Sequence, residues 1–137
     1  MEKEILLDDF SFLVSETDEK GHIIFANDDF CKIAEYSVDE LIGKPHNVVR
    51  HPDMPKAAFK DLWETVKSGN VWTGYVKNST KSGNYYWVYA TVFPTTIADG
   101  KKGFLSCRRK ASREEIEQHI RLYKELIEKE KITGVSI

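Results

Sequence analysis

Hydrophobic and polar positions along the chain change period several times, and each change marks an element. Ser11 to Glu16 alternates as a strand, a turn follows at Asp18-Glu19-Lys20-Gly21, and His22 to Ala26 is a second β-rich run, which predicts a hairpin. At Asn27 the period lengthens. That N-cap type of residue precedes Asp28 and Asp29, where acids suit a helix start, and Phe30, Ile33 and Ala34 follow at helical spacing up to Tyr36. Ser37 and Glu40 have capping-box form for one more short turn, ended by Gly43. From Pro55 to Lys67 the residues Phe59, Leu62, Trp63 and Val66 fall on one stripe, with Asp53 or Met54 as the cap and Gly69 at the exit.

Alternation returns at Val71 to Asn78, a turn covers Thr80 to Asn84, and Tyr85 to Thr95 is rich in aromatic and β-branched residues. On that last strand Trp87, Tyr89 and Phe93 face one way, and Tyr86, Val88 and Val92 the other. The polar loop Ala98 to Lys102 leads into a final strand at Gly103 to Arg109. Met1 to Phe10 reads as one or two amphipathic helical turns that cover a sheet. Ser112 to Lys131 carries a capping box, Ser112 with Glu115, and an apolar seam of Ile116, Ile120, Tyr123 and Ile127 widened by Leu122 and Leu126. That seam fits a coiled-coil contact as well as packing on the domain's own sheet. Two strands, a helical block and three strands predict an α+β domain: one antiparallel sheet of about five strands, helices on one face, and a C-terminal helix. The divisions are a cap at 1–10, a main domain at 11–111, and a helix and tail at 112–137.

Composition narrows the function more than the fold. A chain of 137 residues holds one domain. Charged residues make up 31% with a net charge of -2 and both signs interspersed, so no basic footprint for nucleic acid exists. Cys31 and Cys107 stand alone in apolar surroundings and read as buried core thiols. No charged start followed by an apolar run is present, so a cytoplasmic protein without direct membrane insertion is expected. No nucleophile, base and orienting acid stand at recognisable positions, so no enzyme is expected.

The densest chemistry lies in His46 to Pro55, HNVVRHPDMP, where two histidines, an arginine, an aspartate, an asparagine and two prolines share ten positions. The prolines push His51 and Met54 toward extended or turn geometry, so neither a helix nor a strand is expected there. Arg50 is a fork of donors suited to a phosphate or to pairing with Asp53, which could equally cap the following helix. His46 and His51 lack the second His/Cys pair of a zinc set, although a haem needs only one axial histidine. His22 and the helix-borne, exposed His119 read as structural. The tripeptide His51-Pro52-Asp53 also occurs in J-domains, but those are all helical and this chain has five strand signals. Asn78 begins a turn, or is a ligand-binding amide.

FANDDFCKIAEYSVDELIGKPHNVVRHPDMPKAAFKDLW and WTGYVKNSTKSGNYYWVYATVFP, in that order, closely resemble a PAS domain, specifically the flavin-binding PAS domain of bacterial aerotaxis receptors. The likeness runs from about Leu13 to Ala111. It implies a non-catalytic, FAD-carrying redox or oxygen sensor that reports to a chemotaxis receptor or signalling domain, on the same or a separate chain, and reaches a membrane only through that partner. By position it assigns Arg50, His51 and Asp53 to FAD binding and Asn78 to the flavin ring, as in light-oxygen-voltage domains. Trp63 and Trp72 stand at family-typical aromatic positions. His46 takes the place of the cysteine that forms the photochemical adduct in those domains, so no adduct is expected, and Val88 replaces their second flavin-binding asparagine. Aerotaxis receptors continue where this sequence stops at Ile137, so the chain is expected to be a stand-alone sensor or an excised domain. Two other readings stay open: a haem gas sensor using His46 or His51, and a cofactor-free PAS module that forms homodimers through its sheet face and terminal helix.

Overall fold

The computed structural model describes residues 2–133. Five strands, β1 (Leu13–Asp18), β2 (Ile23–Ala26), β3 (Trp72–Ser79), β4 (Tyr85–Thr96) and β5 (Lys102–Lys110), form one antiparallel sheet in the order β2-β1-β5-β4-β3. The helices are α1 (Asp28–Ala34), α2 (Val38–Leu41), α3 (Lys56–Lys67) and α4 (Arg113–Thr133). This is the expected α+β architecture. The last strand lies at the centre of the sheet, so closing it requires both ends of the domain to be in place.

Local chemistry sets the starts of α1 and α2 as expected. The Asn27 side chain accepts from the Phe30 amide, and α1 ends where Glu35 turns left-handed, with φ 67°. Ser37 and Glu40 form the full capping box of α2. Between α2 and α3 the chain bridges the two edges of the curled sheet. Pro45 pairs with His22 beside β2, and Arg50 pairs with Asn78 on β3, the opposite edge strand. The residues between them, His46–Val49, form a single 3-10 turn, where the sequence led us to expect no helix. Proline at 45 and 52 confines that turn to one round.

The start of α3 differs from expectation. Pro55 provides no side-chain cap, Met54 accepts from the Lys77 amide instead, and Asp53 binds the Lys77 ammonium at 2.8 Å. The free amides of Lys56 and Ala57 donate to the carboxylate of Glu130, far along α4, at 3.1 and 3.0 Å. A negative group there satisfies orphan donors and matches the positive end of the helix. Glu130→Ala is expected to lower stability by about 1 kcal/mol, the usual worth of an N-cap. Urea denaturation that leaves the midpoint unmoved would show the cap to be idle.

α4 runs across the outer face of the sheet. Ile116 and Tyr123 are buried, Trp87 stacks on Tyr123 with centroids 6.1 Å apart, and the Tyr123 hydroxyl donates to the Tyr75 carbonyl. Coverage of its own sheet is therefore what this helix provides. The packed stripe is Ile116, His119, Tyr123 and Leu126, rotated from the expected seam, and Ile120 points outward. His119 is not an exposed residue: its ring lies 4.4 Å from that of Tyr75. Among the described residues no helix is long and apolar enough to cross a membrane.

Two further expectations fail. Residues 2–10 form no helix, because the segment is drawn out beside β4, with Ile5 donating to the Tyr85 carbonyl and Tyr85 donating to Lys3. Those bonds occupy backbone groups that would otherwise end the sheet unpaired. Cys31 and Cys107 are half-buried rather than core residues.

Candidate cofactor-binding cavity

The inner face of the sheet, α3 and the 3-10 turn enclose a cavity of about 330 Å³. Alternation along the strands decides what faces it. Val76 and Asn78 on β3, Ala90 and Val92 on β4, and Phe104, Ser106 and Arg108 on β5 point inward. α3 contributes Phe59, Leu62 and Trp63, and the 3-10 segment contributes His46, Asn47 and Arg50. A mostly apolar chamber with a few fixed polar groups is the usual form of a small-molecule site. Gly21 sits at its rim with φ 86°, a conformation that favours glycine, and a Cβ there would touch the Trp63 ring at 3.4 Å.

One wall is a polar cluster in which Ser15 and Arg108 are buried and His46 is half-buried by surface area but closely surrounded by protein. Arg108, 2% exposed, donates to Ser15 Oγ at 2.9 Å and to His46 Nε2 at 3.0 Å. Its guanidinium lies over the Phe30 ring at 4.3 Å, and Phe30 in turn stacks on His46. Because Arg108 can only donate, His46 Nε2 must accept, which fixes the imidazole as the neutral Nδ1–H form. Burial first, and then the Arg108 charge, push His46 down to about 3. Burial also lowers Arg108 to about 10, still cationic at neutral pH. Thr17 Oγ1, Tyr86 Oη and Arg108 Nε are buried with no partner among the described residues, and burial raises the Tyr86 phenol to about 12.

This cluster makes stability depend on pH with a definite sign. Unfolded, His46 takes a proton near 6.5; folded, only near 3. Between those values the unfolded state binds more protons, so stability falls as pH falls, by up to about 1.4 kcal/mol per pH unit. Wild-type protein is expected to lose about 2–3 kcal/mol more than His46→Asn between pH 7 and pH 4.5 in urea titrations. Equal losses would mean that His46 protonates freely in the folded chain.

The residues singled out in the sequence divide. Arg50, His46, Asn78 and Trp63 line the cavity, and the backbone pairing of Arg50 with Asn78 brings the first and third of these together. Asn78 is 3% exposed. His51, Asp53 and Trp72 do not line it. His51 is buried beneath the N-terminal segment, its Nε2 3.3 Å from the Glu2 carboxylate, and its Nδ1 accepts from the Asp53 amide. Lys77 holds the Asp53 carboxyl below its ordinary range. Arg50 makes no pair with Asp53 and instead lies 3.7 Å over the Phe59 ring. Trp72 donates to Asp61 at 2.9 Å, and its ring covers Gly74, where a Cβ would come within 2.4 Å of it. Val88 is fully buried between Val76 and Lys110.

Sequence reading missed Ser15, Thr17 and Arg108. The available signal was phase: Arg108 shares the inward parity of Phe104 and Ser106, which places a charge where an apolar residue belongs. At the mouth, a second hollow of about 340 Å³ shares Arg50, Phe59, Trp63 and Lys67 with the cavity and adds Lys56 and Lys60. The chamber and this hollow thus share a wall, and the hollow is lined by basic and aromatic side chains with one carboxylate, Glu64, which pairs with Lys60.

An antiparallel sheet curled round such a chamber, with helices on the inner side and the outer face covered by a terminal helix, is an α+β fold built around an internal cavity. The sequence pattern of the PAS fold matches residues 23–108, and the chain belongs to the PAS family. It is similar to the aerotaxis receptor of Escherichia coli K12, 49% identical over 121 residues that make up 88% of this chain and 24% of the receptor. It is also similar to a nitrogen fixation regulatory protein of Klebsiella oxytoca, 26% identical over 90% of this chain and 25% of that protein. The chain thus spans about a quarter of the length of these relatives. A PAS domain from Colwellia psychrerythraea has the same fold, with a TM-score of 0.66 at 23% identity over 78% of this chain and 92% of its own. The dark structure of the Aureochrome1 LOV domain shares it too, with a TM-score of 0.66 at 18% identity over 88% of this chain and 86% of its own.

Proposed function

We propose that this chain is the FAD-binding PAS sensor of an aerotaxis system, passing the redox state of its flavin to a chemotaxis receptor or signalling partner without catalysis of its own. The observation that carries this reading is that the apolar chamber and a largely basic, aromatic hollow beside it share Arg50, Phe59, Trp63 and Lys67. The chamber suits a flat ring with one polar edge. Orphaned buried atoms on the cavity-lining Thr17 and Arg108 ask for a polar occupant, and the hollow suits a diphosphate and a second ring. When bound, the flavin supplies a group that accepts and returns electrons.

The protein's own residues bind and orient it. Asn78 both donates and accepts, so it can follow a change of protonation at the ring edge. Arg50 and Lys67 offer charge to the diphosphate, beside the faces of Phe59 and Trp63. His51 and Asp53 act through the loop, holding Arg50 in place by their bonds to Glu2 and Lys77. Trp72 serves by locking β3 against α3. A dimer would use the outward residues of α4, Ile120 and Leu122. We read the domain as cytoplasmic, reaching a membrane only through its partner.

The haem reading is weaker, because His46 Nε2 already accepts from Arg108 and His51 faces away from the chamber. Ser15 and His46 touch, yet a histidine held near 3 is no general base. The absorbance spectrum of the purified protein, with the mass of the released cofactor, tests the proposal. FAD supports it, whereas a Soret band or a protein that stays colourless after exposure to FAD overturns it. Arg50→Ala is expected to weaken FAD tenfold or more, about 1.5–3 kcal/mol for a charge-assisted contact, and to spare riboflavin. Equal loss of both ligands would place Arg50 at the ring instead.

A further inference from the structure

Tyr86 is fully buried, yet its hydroxyl has no hydrogen-bond partner among the described residues. Such a group is costly to keep, and packing alone would be served as well by a phenylalanine. Tyr86 is not one of the residues that line the chamber, but its neighbour Asn78 is. Asn78 stands directly across the strand pair from Tyr86 and is 3% exposed, and opposed residues of an antiparallel pair carry their side chains side by side on one face. Burial raises the phenol, and the Arg108 charge and then the Asn78 side chain pull against that rise, although neither comes into hydrogen-bond geometry with it. The Asn78 backbone cannot shift to close the gap, because β4 holds it on one side and the bridge to Arg50 on the other. What remains free is the turn of the amide. An amide offers a donor at one end and an acceptor at the other, and a hydroxyl can pair with either.

Resting on the flavin reading above, we infer that Tyr86 is a positioning residue for Asn78: its hydroxyl takes the end of the amide turned away from the chamber, which fixes the other end toward the ring edge. Both side chains gain from this arrangement. Tyr86 loses an unpaired buried oxygen, and Asn78 meets the ring with its rotation already restrained and no buried end left over. The penalty that Tyr86 carries in flavin-free protein is therefore relieved on binding and adds to affinity for the ring.

Tyr86→Phe tests this, because flavin-free and FAD-loaded protein should not respond alike. Without flavin, the urea midpoint of the variant is expected to equal or exceed that of wild type, since only an unpaired oxygen is removed. Its dissociation constant for FAD is expected to rise about tenfold, the worth of one buried hydrogen bond. Riboflavin should weaken by the same factor, because the contact lies at the ring. A flavin-free midpoint below that of wild type overturns the inference and makes Tyr86 a structural residue, and a variant too unstable to fold is the extreme of that outcome. Unchanged affinity for FAD overturns it as well. So does weakened FAD with riboflavin spared, which would place the effect at the diphosphate. Wild-type protein that takes up no FAD removes the flavin reading itself, and is seen before any variant is made.

Discussion

Ala90→Phe is expected to abolish flavin uptake while leaving the domain folded. Ala90 is 2% exposed and lies midway along β4, between Gly74 on β3 and Arg108 on β5. Its methyl group is part of the floor of the chamber. A phenyl ring there enters the space of about 330 Å³ that the flavin ring would occupy. The same ring has open chamber before it but the Trp72 ring over Gly74 beside it, so an overpacking cost of about 1–3 kcal/mol is expected. Equilibrium binding should weaken by at least about 100-fold, equivalent to roughly 2.7 kcal/mol, and the purified variant should be colourless with an unchanged far-ultraviolet circular dichroism spectrum. A yellow variant with wild-type affinity would mean that the flavin ring sits elsewhere, and the groove on α3 would then have to be the whole site.

Legibility in the sequence followed the range of the interactions that decide each feature. Caps at Asn27 and Ser37 are settled within three residues, and both form as their patterns imply. Strand phase along β4 is equally local, and it separates the Trp87 face under α4 from the Ala90 face over the chamber. The N-cap of α3 is settled by Glu130, 74 residues from Lys56, and no local pattern carries that. The N-terminal segment goes the same way, because its amphipathic spacing permits a helix while the open backbone groups at Tyr85 draw it into an extended strap.

Within the charged loop, density of charge marked a stretch of ten residues, of which His46, Asn47 and Arg50 line the cavity, but not their directions. Arg50 turns to the cavity because its backbone is pinned to Asn78, and His51 turns away because Glu2 and the Tyr85 ring receive it. Those partners lie on three other segments. Arg108 went unread for a different reason: a basic residue near a strand end normally marks an exposed edge. Only the central place of β5 in the sheet, a matter of topology, makes its inward phase a buried one.

Phe30 is where packing and charge meet, and Phe30→Ala is expected to cost about 3–5 kcal/mol, the range for emptying a fully buried phenyl site. Phe30 is fully buried on α1. One side of its ring carries the Arg108 guanidinium at 4.3 Å, and it stacks on His46 with centroids 5.9 Å apart. Truncation therefore removes apolar contacts and also the lid that keeps water from the cation. Water admitted beside Arg108 and His46 would ease the desolvation that holds His46 near 3, so the acid sensitivity of the variant should shrink along with its stability. Phe30→Leu keeps most of the volume but loses the cation–π contact, and should cost about 1–2 kcal/mol. Urea titrations of the three proteins at neutral and acid pH separate these contributions. A Phe30→Ala loss below about 1 kcal/mol would be far under the range for a buried phenyl group. It would mean that α1 does not seal the cluster, and that the Arg108 charge is already shared with solvent.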